Sequence, residues 1–462
     1  MLTQSFTRRT RIDAPAATVF NWHAQPGAIE RLTPAWEPVE VLERTGGIED
    51  GARAILGLRM GPLRLRWEAE HCDYQAGVQF RDVQRAGPFA HWEHTHRVEP
   101  DGPTSCYLED HIDYALPFAP MSHWVAGGFV RRKLDRLFNY RHRITAEDIA
   151  AHHGTGTTAP MRILVTGASG LVGAALVPFL TTGGHHVLRL VRRAEQASAS
   201  AILWSPQTGI ADPGALEGVD AVVHLAGERI DAGRWTPQKK AAIRDSRVQG
   251  TRGLCEALAT LQQPPNVFVC ASAIGYYGDR GDEYLREDSA AGHTFLARVC
   301  RDWEAATAPA AARGIRVVNL RLGIIQSLAG GALAKMIMPF QLGAGGMIGH
   351  GRQYMIWVTL DDVIGAIYHA ILTEALQGPV NVVAPQHVTN RTFTRTLGNV
   401  LKRPTLFPMP AAAARLAFGE MADALLLSSA RVMPAKLQDT GYRFRHANLE
   451  DGLRHILGRV AA

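Results

Sequence analysis

Residues 166–173 read Thr166-Gly167-Ala168-Ser169-Gly170-Leu171-Val172-Gly173. The stretch follows an apolar run, Arg162–Thr166, with the length and β-branched content of a buried strand. It opens into an apolar helical pattern over Gly170–Leu180. Three glycines, three residues apart, have separate physical roles at such a junction. Gly167 permits a tight turn, Gly170 lets a ligand lie against bare backbone, and Gly173 lets helix and strand pack closely. Ser169, Leu171 and Val172 complete the cradle, and the helix start offers outward amide N–H groups and positive potential to an anion. A glycine triplet alone also fits a plain strand-to-helix turn. Placed between this strand and this helix, it makes a dinucleotide pyrophosphate the expected ligand.

Outward from this turn the chain alternates strand and helix. Strands are expected at Arg162–Thr166, His186–Arg192, Ala221–Leu225, Asn266–Ser272, Arg316–Leu322 and Val380–Val383, with helices at Gly170–Leu180, Lys239–Ala259 and Thr294–Ala312. Such a rhythm predicts an α/β doubly wound parallel sheet, with a small helical C-terminal part beginning near Thr389 or Asn390. The second strand ends in Arg192-Arg193, where an acidic residue would serve the ribose 2′-hydroxyl of NAD and arginine suits the 2′-phosphate of NADP. NADP is the expected cofactor. NAD stays open because Glu195 lies nearby, and both arginines also read as solvated strand-end charges. Leu225-Ala226-Gly227 then supplies small residues beside the nucleotide, or simply a buried strand end.

The chain has 462 residues, 46% hydrophobic and 20% charged, which describes an ordinary globular protein of two or three domains. Its net charge of +6 falls unevenly: 18 basic and 20 acidic residues up to 155, then 31 and 23. A surplus confined to the second part suits a bound phosphate compound better than nucleic acid. Five scattered cysteines without a CxxC pair predict reduced, packed thiols. With no apolar h-region at the N-terminus and no run long enough to span a membrane, a cytoplasmic location is expected. Nothing in the sequence sets the oligomeric state.

The clearest seam is 151–160, AHHGTGTTAP, a short Gly/Thr linker. Met161 before a first strand resembles the start of a free-standing unit, so a fusion is expected. The resulting division is 1–150, 161–385 and 386–462. Ahead of the seam, short runs at Ser5–Ile12, Val39–Arg44, Ala52–Leu58, Leu63–Tyr74, Gln79–Arg85, Ala90–Glu99 and Ser105–Leu116 predict an antiparallel sheet. A helix over Ala16–Leu32 interrupts it. A longer helix around Met121–His142 closes it, with Trp124, Val125, Phe129, Leu134 and Phe138 on one face. That α+β helix-grip order, with PGAIERLTPAWEP at 26–38, resembles the START/polyketide-cyclase-like superfamily. The resemblance implies a hydrophobic small-molecule ligand in an apolar cavity between sheet and long helix.

The second part resembles the extended and atypical short-chain dehydrogenase/reductases, in the NAD-dependent epimerase-like branch of Rossmann-like proteins. TGASGLVG (166–173), HLAGERI (224–230), RWTPQKKAAIRDSRVQGT (234–251), SAIGYYG (272–278), PFQLGAGGMIGHGRQYMIWVTLDD (339–362) and LQDTGYRF (437–444) carry it. The family implies an oxidoreductase or epimerase acting on a small carbonyl or alcohol substrate. Its proton chemistry uses a strand-end Ser and a Tyr-x-x-x-Lys on the next helix. Ser272 matches the serine. With Glu304 as anchor, however, Leu296 stands at the Tyr position and Cys300 at the Lys position. Two readings stay open. Tyr276 or Tyr277 brings a phenol to the reactive face, with Tyr277 the expected acid, Ser272 its orienter and Lys239 or Arg234 a source of charge. Alternatively the tyrosines are packing, and the fold is a non-catalytic NADP(H)-binding sensor or ligand-binding module.

The later glycines, Gly343, Gly345, Gly346, Gly349 and Gly351, lead to Gln353 and Trp357. They read equally as a substrate-side loop or a flexible one, and Thr359 stands where the family stretch often has His. His94 and His96 share one strand face while His91 and Glu93 point to the other, so an ordinary polar face is expected and no metal. Arg131-Arg132-Lys133 reads as a solvated helix face.

Overall fold

The computed structural model describes residues 3–37, 39–60, 63–117, 121–154, 159–205, 209–210 and 212–459. The chain forms two compact units. One comprises Met1–Thr158 with Pro178–Gly184 and Leu457–Ala462; the other comprises Ala159–Val177 and His185–Ile456.

In the first unit a seven-stranded antiparallel sheet is built from β1 (Gln4–Ile12), β2 (Val39–Thr45), β3 (Arg53–Met60), β4 (Leu63–Gln75), β5 (Gln79–Ala86), β6 (His91–Pro100) and β7 (Cys106–Ala115). The strand order is β1-β7-β6-β5-β4-β3-β2, a meander with the first strand folded back beside the last. The expected Ala16–Leu32 helix is two pieces, α1 (Ala16–Ala24) and α2 (Ala28–Arg31). Pro26 cannot donate a helical N–H, and Gly27 sits at φ 94°, which ends one turn and starts the next. The closing helix α3 runs Met121–His153, through the first three residues of the expected linker. Leu134 and Phe138 pack with Phe6, Trp92 and Ile112, whereas Ile144 and Ile149 pack with Phe20, Phe80 and Leu108. Phe129 departs from the expected face and is 60% exposed; the Trp124 and Val125 side chains lie outside the described residues.

The second unit holds an eight-stranded sheet in the order Gly209–Ile210, Ala201–Ser205, His186–Val191, Arg162–Thr166, Ala221–His224, Val267–Ala273, Arg316–Leu322, Gly378–Val382. All neighbours are parallel except the Gly209–Ile210 edge. The two strands at that edge were not expected, because AILWS is short and follows a polar stretch without a strand period. The expected Thr294–Ala312 helix breaks into Phe295–Ala305 and Ala308–Ala312, where Pro309 starts a new helical turn. Leu164, Val222, Leu254, Leu258, Phe268 and Trp303 fill the core beneath the sheet, and the Trp303 indole N–H is satisfied by Thr251 Oγ1 at 2.9 Å. Each such side chain contributes about 1.5–3 kcal/mol on burial. From Arg162–Thr166 the chain builds outward in one direction and then, from Ala221–His224, in the other. The topological switch point therefore lies at the carboxyl ends of those two strands, beside Thr166 and His224. Among the described residues no helix is long and apolar enough to cross a membrane, and the five cysteines are free thiols.

Candidate functional site

The glycine turn sits at this switch point. Gly167 has φ 67°, and a Cβ there would lie 2.8 Å from the Leu225 carbonyl carbon. A Cβ on Gly173 would lie 2.3 Å from the Gly167 oxygen, so helix and turn close over one another only without a side chain. Gly170 is different: it is exposed, and its own neighbourhood holds only the Gly167 oxygen at 3.2 Å. Ser169 is exposed, Leu171 and Val172 are half-buried, and the helix Leu171–Thr182 begins there. The turn thus has two glycines packed against protein and one open to a ligand, with helix-start amides around it.

Thr166 ties the two strand ends together. Leu225 N–H and Ala226 N–H donate to its hydroxyl oxygen at 3.1 and 3.2 Å. The hydroxyl proton therefore points to His224 Nδ1, 2.8 Å away, which fixes that ring as the Nε2–H tautomer. His224 is fully buried between Trp204 and Phe268, and burial lowers its pKa to about 4. Gly227 faces the guanidinium of Arg247, which donates to the Glu228 and Ile243 carbonyls. Arg192 and Arg193 are exposed just past the strand that ends at Val191, and Glu195 is exposed on the following turn.

At the end of Val267–Ala273 the structure brings Ser272 and Tyr277 onto one buried ion pair. Ser272 Oγ donates to Glu304 Oε1 at 2.7 Å, and Arg321 grips both oxygens of that carboxylate at 2.9 and 2.8 Å. Arg321 also donates to the Tyr277 hydroxyl at 2.9 Å and to the Glu287 carbonyl at 3.0 Å. The Tyr277 hydroxyl faces Asn381 Oδ1 at 2.7 Å and the Arg286 carbonyl at 2.9 Å. Tyr277 is fully buried, and burial pushes its pKa up to about 12 against the opposing pull of Arg321. Tyr277, the expected acid, is thus buried with its hydroxyl hydrogen-bonded to Asn381, the Arg286 carbonyl and Arg321. Tyr276 is half-buried, with its ring 3.5 Å from the Arg321 guanidinium carbon.

The other expected sources of charge are engaged elsewhere. Lys239 pairs with Glu228, and Arg234 donates to the Leu416 carbonyl at 2.6 Å. Leu296 and Cys300 are buried on their helix; Leu296 packs on Gly275, and burial pushes the Cys300 thiol up to about 12. Sequence reasoning missed Arg321. Its signal was an arginine inside the mostly apolar run VVNLRL, a charge that has to find a partner once buried.

The later glycines are close-approach positions more than a flexible loop. A Cβ on Gly346 would meet the Phe407 carbonyl oxygen at 1.9 Å, and Gly349 and Gly351 hold φ of 59° and 69°. Gln353 and Trp357 are buried: Gln353 donates to the Ile348 and Leu426 carbonyls, and Trp357 to that of Gln386. Thr359 caps the helix Leu360–Leu372 through the Asp362 amide. Gly349 and His350 line a cleft of about 220 Å³ together with Asp279, Arg415, Asp423 and Ser428.

In the first unit the expected apolar cavity is not what faces His96. The space beside it is about 10 Å³, room for one water, lined by His23, Asp110, Arg141 and His142 together with Leu32 and Leu108. Polar side chains on β6, β7 and α3 occupy the interior there.

Comparison with known proteins matches the chain to three families. Residues 163–384 match the NAD dependent epimerase/dehydratase family, residues 409–456 a domain of unknown function (DUF1731), and residues 12–182 the polyketide cyclase / dehydrase and lipid transport family. An epimerase family protein of Mycobacterium bovis is 42% identical over 297 residues, covering 64% of this chain and 98% of its own. A crystal structure from Corynebacterium glutamicum, described as a nucleoside-diphosphate sugar epimerase, is 33% identical with a TM-score of 0.80 and covers 98% of this chain and 90% of its own. Human SDR39U1 (isoform 2), solved with NADPH, is 31% identical with a TM-score of 0.59, over 65% of this chain and all of its own. The glycine turn at the switch point and these relatives together place the chain in the NAD dependent epimerase/dehydratase family.

Proposed function

We propose that the second unit binds NADP(H) and acts as an oxidoreductase or epimerase-like enzyme on a small carbonyl or alcohol substrate. The observation that carries this is the glycine turn, with two glycines closed on protein and Gly170 open beside a helix start. In this reading Gly167, Ser169, Gly170, Leu171, Val172 and Gly173 hold the pyrophosphate, and Leu225, Ala226 and Gly227 flank the adenosine end. Arg192 and Arg193, exposed at the second strand end, take the 2′-phosphate; the NADPH in human SDR39U1 supports that choice. The bound cofactor supplies a hydride donor or acceptor.

The chain's own residues then orient substrate and move a proton. The cleft near Gly349, His350 and Asp279 begins two residues after Tyr277, and we assign it to the substrate. Tyr276 offers the phenol of the pair that keeps exposed surface, while Ser272 and Tyr277 act as positioning residues through Glu304 and Arg321.

One observation favours a second reading, nucleotide binding without redox turnover: the positions of the family's Tyr and Lys hold buried Leu296 and Cys300. Following NADPH absorbance over a panel of aldehydes and ketones separates the two. Turnover lost in Tyr276→Phe supports the enzyme. Tight NADPH binding with no oxidation at high protein concentration sinks it. The match of residues 12–182 to the polyketide cyclase / dehydrase and lipid transport family supports a hydrophobic small-molecule ligand for the first unit.

A further inference from the structure

Inside the first unit, adjacent strands carry an unusual set of side chains toward the long helix. Cross-strand pairing sets Asp82 on β5 directly opposite His94 on β6, and His96 on β6 opposite Asp110 on β7. Directly opposed residues of an antiparallel pair share a face, so all four project to the same side. His94 is 3% exposed, His96 12%, Asp82 17% and Asp110 4% by side chain. Four ionisable groups at this depth need a strong compensating arrangement.

The two rings bridge the two carboxylates. His94 Nδ1 lies 3.1 Å and His96 Nε2 3.4 Å from the same oxygen, Asp82 Oδ1. The opposite nitrogens, His94 Nε2 and His96 Nδ1, lie 2.9 and 2.6 Å from Asp110 Oδ1. His142 of α3 approaches the other Asp110 oxygen at 2.5 Å. A neutral imidazole has one N–H and one lone pair, whereas the imidazolium donates from both nitrogens, so without a metal His94 satisfies both carboxylates by carrying a proton. At the Asp110 end His94 Nε2–H donates to Oδ1 at 2.9 Å, while His96 Nδ1 stands 2.6 Å from the same oxygen without making a hydrogen bond. A divalent ion at the Asp82 end would take the place of that proton, with one nitrogen of each ring and Asp82 Oδ1 as its ligands.

We propose that Asp82, His94 and His96 bind a zinc-type divalent metal ion, with Asp110 orienting the His94 imidazole. One ligand atom from each of the three residues lies within 4.8 Å of the others. Ligands at about 2.0–2.2 Å around a tetrahedral zinc stand about 3.4 Å apart, close to the 3.1 and 3.4 Å from Asp82 Oδ1 to the two imidazole nitrogens. Two imidazoles and one carboxylate are a zinc-type donor set, and the His94 Nε2–Asp110 bond is the carboxylate–histidine–metal arrangement that fixes tautomer and ring direction. His71, opposite Asp82 on β4, has a buried Nδ1 without a hydrogen-bond partner among the described residues, a further donor on this side of the sheet. The metal would link β5 to β6 and, through Asp110 and His142, to β7 and α3. Its role is structural: it holds the grip helix to the sheet.

The test uses the full chain, stripped with a chelator and reloaded with zinc or cobalt. The expected result is one tightly held zinc per chain, cobalt absorption bands in the visible, and a rise in Tm of several degrees with excess zinc. Asp82→Asn should lose all three. His96→Gln repeats the test should Asp82→Asn not fold, and His91→Ala, on the outer face, should retain the metal. A folded wild-type chain that takes up no zinc and gives no cobalt bands overturns the proposal. So does equal retention in Asp82→Asn, or a loss seen only with Asp361→Asn, which would move the ion to the Asp361, His446 and His455 group of the second unit.

Discussion

Ser272 donates to the same Glu304 carboxylate that Arg321 grips with two nitrogens, so the hydroxyl at the expected serine position is held by a buried ion pair. The pair has a cost on both sides: burial works against the Arg321 charge, and the Glu304 and Tyr277 contacts outweigh it and raise its pKa. Removing one partner leaves the other charge buried, which is why such pairs break expensively. Glu304→Gln should therefore destabilise the second unit by about 3–5 kcal/mol in chemical denaturation. Arg321→Met with Glu304→Leu together should cost much less than the sum. A Glu304→Gln loss under about 1 kcal/mol would show that the guanidinium finds water or another acceptor instead.

The two tyrosines should separate cleanly. Tyr277→Phe removes a hydroxyl with three partners and should lower stability by about 1–3 kcal/mol, whatever it does to turnover. Tyr276→Phe should leave the melting temperature within a degree or two and abolish NADPH oxidation. Measuring both parameters on both variants decides between them; activity lost only in Tyr277→Phe, at unchanged stability, would return the acid role to the buried phenol.

How far these features were legible before the structure depends on the range of the interaction that makes them. The glycine turn, the parallel alternation and the seven-stranded meander rest on local spacing, and each appears within a residue or two of its expected bounds. The helix breaks at Gly27 and before Pro309 were visible as residues but were underweighted against the apolar period. Arg321, Glu304 and Asn381 meet only in three dimensions, from a strand, a helix and another strand. No spacing links them. The His94–His96 face was readable from alternation, but the carboxylates that complete it come from the strands on either side.

Gly170→Asp places a carboxylate where the turn is open and the expected ligand is anionic. The variant should fold once the Gly167 oxygen, the one atom a Cβ here would meet, at 3.2 Å, gives by a few tenths of an ångström. NADPH fluorescence titration should show binding weakened beyond detection. Unchanged affinity would remove the pyrophosphate from this turn.

Arg192→Ala with Arg193→Ala should weaken NADP(H) by about tenfold or more while changing NAD(H) little, since charge-assisted bonds to a 2′-phosphate exist only in the former. Salt should mimic the effect on the wild-type chain, because both side chains are exposed. Equal losses for the two cofactors would mean that the arginines steer the nucleotide without reading its ribose.

His224 gives the nucleotide-binding unit an acid-sensitive element. Its pKa falls from 6.5 in the unfolded chain to about 4 in the folded one because burial disfavours the charged ring. The unfolded chain therefore binds this proton first as pH drops. The stabilising difference is fully present above about pH 6.5, declines between 6.5 and 4, and reaches a loss of about 3 kcal/mol below 4. His224→Asn keeps an acceptor for the Thr166 hydroxyl and cannot titrate, so its stability between pH 7 and 4 should fall with a slope smaller by up to one proton. Denaturant midpoints at half-unit pH steps measure that slope. Parallel curves for the two chains would mean that the ring is protonated in the folded state, and that Thr166 has turned its hydroxyl to accept from it.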